Sequence, residues 1–185
     1  PAGRGAMSRG RLAEIGRVAL LVVIAVALQT LVVSRVSVLG VTADLFLILT
    51  VVGAIGRGPL YGAVFGFAAG VVADIAFMEP LGVRSLIYVL MGYMVGSLIH
   101  RFATVNLWGV FLLAACASFL AQLAYGLFQY ATGPRAGFFG MLATQVLPET
   151  VLDALITVPI YVLLIRLRVV PTPHAETAAA GTGPE

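Results

Sequence analysis

The chain has 185 residues, of which 61% are hydrophobic and only 10% charged, with a formal net charge of +3. Soluble domains run at roughly 45–50% apolar and about 25% charged, so a water-soluble core is excluded and a membrane is the expected environment. The basic residues are all arginines with no stretch interleaved with aromatics, so nucleic acid is not an expected partner, and the lone cysteine, Cys116, rules out a disulfide framework and reads as a small buried hydrophobe.

Pro1 to Ala6 precede Met7 and read as a processing remnant. Residues 1–16 form an N-terminal cytoplasmic segment in this reading, with Arg9, Arg11 and Arg17 ahead of a first apolar span at 18–33 that has no small-residue cleavage site after it. A second apolar stretch, Val41 to Ile55, begins beside Asp44 and stops at the GRGP punctuation. It is short for a hydrocarbon core of roughly 30 Å and is expected to be thinned, kinked or partly re-entrant. The third span, Leu60 to Phe77, carries Gly62, Gly66 and Gly70 every fourth residue with Asp74 continuing the spacing, a bare ridge suited to close helix approach in lipid.

The fourth span, Ser85 to Ile99, adds Gly92 and Gly96 before His100 and Arg101. The fifth, Val105 to Tyr130, starts near Trp108 and ends in tyrosines, matching interfacial aromatic belts. The sixth hydrophobic segment, Phe138 to Ile165, contains Pro148 and Pro159 and exceeds one straight span, so Phe138 to Leu147 is expected to lie along the interface before a helix crosses. The membrane domain thus covers residues 17–168, and 169–185, rich in Pro, Thr, Ala and Gly, are expected to form a disordered cytoplasmic tail. The fold expected is an all-α polytopic membrane bundle of six transmembrane spans with both termini cytoplasmic. Orientation follows from the arginines: Arg9, Arg11, Arg17, Arg57, Arg101, Arg166 and Arg168 fall inside, against Arg35, Arg84 and Arg135 outside.

This topology gathers Asp44, Asp74, Glu79, Arg84, Glu149 and Asp153 toward the outer leaflet, where ionisable groups at membrane depth face protein or water. Two readings stand: structural pairs at helix ends, or a polar pocket or partner site opening outward. Asp74 and Arg84 are expected to pair across the PLG turn. Ser118, Gln122, Tyr125 and Gln129 on the fifth span, and Glu149, Asp153, Thr157 and Tyr161 on the sixth, form stripes at helical spacing that suit interhelical hydrogen bonds. There is no phosphate-binding GK[ST] loop, no HExxH and no GxSxG, and neither His100 nor His174 has a partner at ligand spacing. No catalytic residue, metal or cofactor is therefore expected.

The stretch ADIAFMEPLGVRSLIYVLMGYMVG, preceded by TADLFLILTVVGAIGRGPLYGAVFGFAAG, resembles the MreD family of bacterial rod-shape-determining membrane proteins. LPETVLDALITVPIYVLLIRL is similar to that family's last span, and the resemblance covers roughly residues 15 to 168. At Asp153 the family pattern suggests asparagine or another small polar residue. The resemblance implies a non-enzymatic inner-membrane scaffold of the elongation machinery. The partners it implies are a bitopic protein of the MreC kind, the actin-like MreB, and RodA with a class B penicillin-binding protein, which make peptidoglycan. The alternative is the substrate-binding component of an energy-coupling-factor vitamin transporter, in which the outer acids and Arg84 hold a small molecule. On the first reading, one glycine ridge serves the fold while the other, Gly62, Gly66 and Gly70 or Gly92 and Gly96, stays open to a partner's single helix.

Overall fold

The computed structural model describes residues 42–78, 80–99, 106–132 and 138–167, and among these there are helices and no strand. They form α1 (Leu45–Arg57), α2 (Pro59–Ala76), α3 (Val83–Ile99), α4 (Leu107–Thr132), a short α5 (Phe138–Met141), a π-helical stretch at Leu142–Val146, and α6 (Leu147–Arg166). Three helical stretches, Pro59–Ala76, Leu107–Thr132 and Phe139–Arg166, are long and apolar enough to cross a membrane, and α1 and α3 are shorter apolar helices. The expected first span, Glu79, His100, Arg101, Arg135 and the tail lie outside the described residues.

At the centre is α1. Asp44 starts it, its Oδ1 accepting the N–H groups of Phe46 and Leu47, both at 3.1 Å, which satisfies two of the donors that a helix start leaves without partners. Ten of its 13 residues are buried, as a helix that is apolar on every side must be. The second span, expected to be thinned, kinked or partly re-entrant, is a short unbroken helix without a kink, enclosed by protein. It ends at Gly58, whose φ of 90° suits glycine, and Pro59 opens α2 at once, in a position where its missing N–H costs nothing.

A turn with Met78 at φ 54° and Gly82 at φ 102° joins α2 to its antiparallel partner α3. The two glycine ridges meet each other there. A Cβ on Gly62 would lie 2.5 Å from the carbonyl oxygen of Gly92, one on Gly66 would strike the backbone of Tyr88, one on Gly70 that of Ser85, and one on Gly96 would lie 2.5 Å from Cα of Pro59. The expectation that one ridge stays open is therefore not met: each ridge fills the other, because two bare faces at matching four-residue spacing allow the closest approach lipid-embedded helices can make. Large apolar side chains point the other way, with Leu60, Val64, Phe67 and Ile75 of α2 and Leu86, Leu90 and Leu98 of α3 exposed. In water these stripes would be an aggregation surface; against lipid tails they are ordinary exterior.

The polar stripes of α4 and α6 face each other across a second antiparallel seam. Cys116 lies on the outer face of α4 and is exposed, contrary to its expected burial; Ala114, Ala117 and Ser118 take the inner face. The last hydrophobic segment does not break at Pro148. The Leu147 N–H reaches back five residues to the Leu142 carbonyl, and this widened turn makes room for a ring that would otherwise clash with the preceding turn. Phe139–Arg166 therefore continues as one helical stretch and no separate interfacial helix forms.

Candidate functional site

Antiparallel packing brings one end of each helix to the same end of the bundle: the start of α1, the end of α2, the start of α3, the second half of α4 and the start of α6. Asp44, Asp74, Arg84, Glu149 and Asp153 all lie there; Glu79 is outside the described residues.

Asp44 is the hub. One carboxylate oxygen caps α1, and the other accepts from Arg84 Nη1 at 3.2 Å and from the hydroxyl of Tyr88. The backbone N–H of Asp44 donates to Asp153 Oδ1 at 2.9 Å, and Asp153 Oδ2 accepts from Ser118 Oγ at 2.6 Å. A chain of contacts thus runs from α3 through α1 to α6 and α4. Gln122 Nε2 donates to Glu149 Oε1 at 2.7 Å one turn away. The Arg84 guanidinium lies 4.7 Å over the Phe77 ring and 4.3 Å over the Tyr125 ring, a cation held between aromatic faces where water is scarce.

The expected Asp74–Arg84 ion pair does not form. Asp74, fully buried, accepts instead from the N–H of Gly82 at 2.7 Å, the N–H of Arg84 at 3.1 Å and Ser85 Oγ at 3.2 Å. The start of α3 presents unpaired N–H groups that a carboxylate satisfies better than any other acceptor within reach, and the Arg84 side chain is left to pair with Asp44 on another helix. Asp74 therefore ties α2 to α3, directly above the Gly70–Ser85 contact. Tyr125, on the stripe expected to face another helix, is buried at the pocket wall, whereas Trp108 is exposed as a belt residue would be. Thr157 bonds within its own helix, to the Asp153 carbonyl.

Beside this network is a cavity of about 410 Å³. Asp44, Arg84 and Glu149 line it, with Gln122, Thr144 and Gln145 among the uncharged polar groups; the last two are presented by the π-helical stretch. Among the described residues no cluster of three or more metal-ligating side chains occurs. Tyr88 was not among the sequence candidates, although it follows Arg84 by one helical turn and shares its face.

A family model described as rod shape-determining protein MreD matches residues 13–169. The chain belongs to the MreD family. No curated protein and no solved structure matches it significantly. The match takes in every residue of the polar network and both glycine ridges, so in this MreD-family chain the site lies wholly within the family region.

Proposed function

We propose that this chain is a non-enzymatic integral subunit of the bacterial cell-elongation complex, crossing the inner membrane six times with both termini in the cytoplasm. In this reading it scaffolds lateral peptidoglycan synthesis by holding a single-span partner of the MreC kind, and through it RodA, a class B penicillin-binding protein and MreB. The family match over 13–169 carries the reading. The apolar exterior of α2 and α3 supports a multi-pass membrane protein, and the excess of arginines on one side supports the orientation.

With the two glycine ridges packed on each other, the partner contact falls on other surfaces. Purification in mild detergent tests the assignment: the bitopic partner is expected to co-purify, and its absence under conditions that preserve the fold defeats the scaffold reading. Cysteine labelling at Glu79 and Arg101 tests the topology, and labelling from the same side defeats six spans. The polar cavity favours a second reading, a substrate-binding component of a vitamin transporter; thermal stabilisation by a vitamin pool without partner retention would select it.

A further inference from the structure

The geometry points to the cavity beside Asp44, Arg84 and Glu149 as a binding site for a neutral amide group, a peptide bond or a cyclic urea, whose carbonyl oxygen sits on Arg84 and whose N–H faces Gln122 and Glu149. This goes beyond the scaffold reading and holds whether or not the chain retains a partner or transports the occupant. The Arg84 side chain lines the cavity and is 14% exposed. Its Nη1 is engaged with Asp44 and Tyr88. Its Nε is buried with no hydrogen-bond partner, and its Nη2 bonds to no described residue. Nε–H and one N–H of Nη2 point the same way along one edge of the planar guanidinium, the edge that takes an acceptor two-pronged. The rings of Phe77 and Tyr125 lie over the guanidinium, so a further contact is made through that edge. A buried donor left unpaired carries its full desolvation cost, and an oxygen arriving at this edge removes it.

Charge selects a neutral occupant. Asp44 already supplies the counter-charge of Arg84, so a carboxylate or phosphate would enter beside two acidic side chains with no cation of its own. A cation would face the Arg84 guanidinium and leave its donor edge unpaired. The other walls call for a donor as well as an acceptor. Gln122 Nε2 donates to Glu149 Oε1, while neither Gln122 Oε1 nor Glu149 Oε2 bonds to a described residue, and both side chains line the cavity. An amide carries a carbonyl acceptor and an N–H donor in one plane. It also suits Glu149 in either protonation state, its N–H meeting a carboxylate and its carbonyl a carboxylic acid. The cavity volume of about 410 Å³ falls within the range of about 300–1,000 Å³ usual for small-molecule sites. A widened helical turn at the rim, Leu142–Val146, presents Thr144 and Gln145 to the cavity, a kind of irregularity common at binding sites.

The test uses the purified full chain in phosphatidylcholine nanodiscs and saturation-transfer NMR, which reads weak binding of small solutes. The probes are N-acetyl-L-alaninamide and imidazolidin-2-one. Saturable transfer to at least one of them is expected, and it should not change when the salt is raised, because the probes carry no charge to screen. Acetate and methylguanidinium, which offer the acceptor or the donors with a charge attached, should bind at least about tenfold more weakly. Arg84→Lys keeps a cation for Asp44 but removes the two-pronged edge, and should weaken the favoured probe by about tenfold. Thr144→Trp, at an exposed position on the rim, provides the second variant should the first fail to fold, and should abolish transfer by closing the opening. Tighter binding of the alanine probe identifies the occupant as polypeptide backbone; tighter binding of the cyclic urea identifies a free solute. No transfer in the wild type overturns the proposal, as does a stronger response to acetate or methylguanidinium, or wild-type affinity in either variant. So does a response that appears only after Glu79→Ala, which would mean that the chain fills its own site.

Discussion

Two antiparallel seams hold the described bundle together by opposite means. Between α2 and α3 the side chains are absent and backbones touch, Gly62 on Gly92, Gly66 on Tyr88 and Gly70 on Ser85. Between α4 and α6 the side chains make the joint, Ser118 to Asp153 and Gln122 to Glu149. In lipid both work, the first through dispersion at close range and the second because a polar group turned to hydrocarbon has no other partner. They differ in tolerance. A backbone seam has no room for any added atom, whereas a hydrogen-bonded seam accepts any residue that offers the same donors and acceptors at the same place.

The largest effect expected is on the backbone seam. Gly66→Leu or Gly92→Leu places a side chain inside the facing backbone, and a loss on the order of 4 kcal/mol or more is expected, seen as failure to recover folded protein in detergent. Recovery of a folded, partner-free bundle would show that the seam opens without unfolding and that the contrast is wrong. Next is the Asp44–Arg84 pair. Arg84→Met leaves a buried carboxylate without its cation, and about 3–5 kcal/mol is expected. Adding Asp44→Asn, which keeps the helix cap, should restore part of it. A double-mutant cycle on thermal stability measures the coupling, and additive losses would mean the pair contributes nothing.

The polar seam then supplies the finer contrast. Asp153→Asn still offers an acceptor to the Asp44 N–H and a donor to Ser118, so a change within about 1 kcal/mol is expected, while Asp153→Leu strands both groups at about 1–3 kcal/mol each. Equal losses for the two variants would show that charge, not hydrogen bonding, holds this seam. Smallest is Cys116→Ala on the outer face of α4, expected to stay within about 0.5 kcal/mol by the same unfolding measurement; a larger loss would place that face against protein.

Hydropathy alone located the described helices, and the assembly of Asp44, Asp74, Arg84, Glu149 and Asp153 at one end followed from alternating helix direction. The contacts within that assembly did not follow. Arg84 is ten residues from Asp74 and forty from Asp44, and sequence distance favoured the wrong acid because it does not register that Asp74 is claimed by the N–H groups of Gly82 and Arg84. The glycine spacing showed which face of α2 is bare, yet not that α3 offers a matching bare face to cover it. Cys116 was misplaced for a related reason: a span apolar all round carries almost no periodic signal to tell its inner from its outer face. The long last segment was divided in two on its length and its prolines, because the π-helical turn that carries the helix past Pro148 leaves no mark in composition.

The enclosure of α1 has a consequence for how the protein is made. At 13 residues it reaches about 20 Å against a hydrocarbon thickness of about 30 Å, and Gly58 alone separates it from α2. During synthesis such a segment has no stable lateral exit into lipid by itself. In the folded chain it packs against α2 and α3, and its polar start at Asp44 has its counter-charge only when Arg84 of α3 is in place. Until then the helix that ends up at the core carries an uncompensated charge at its start.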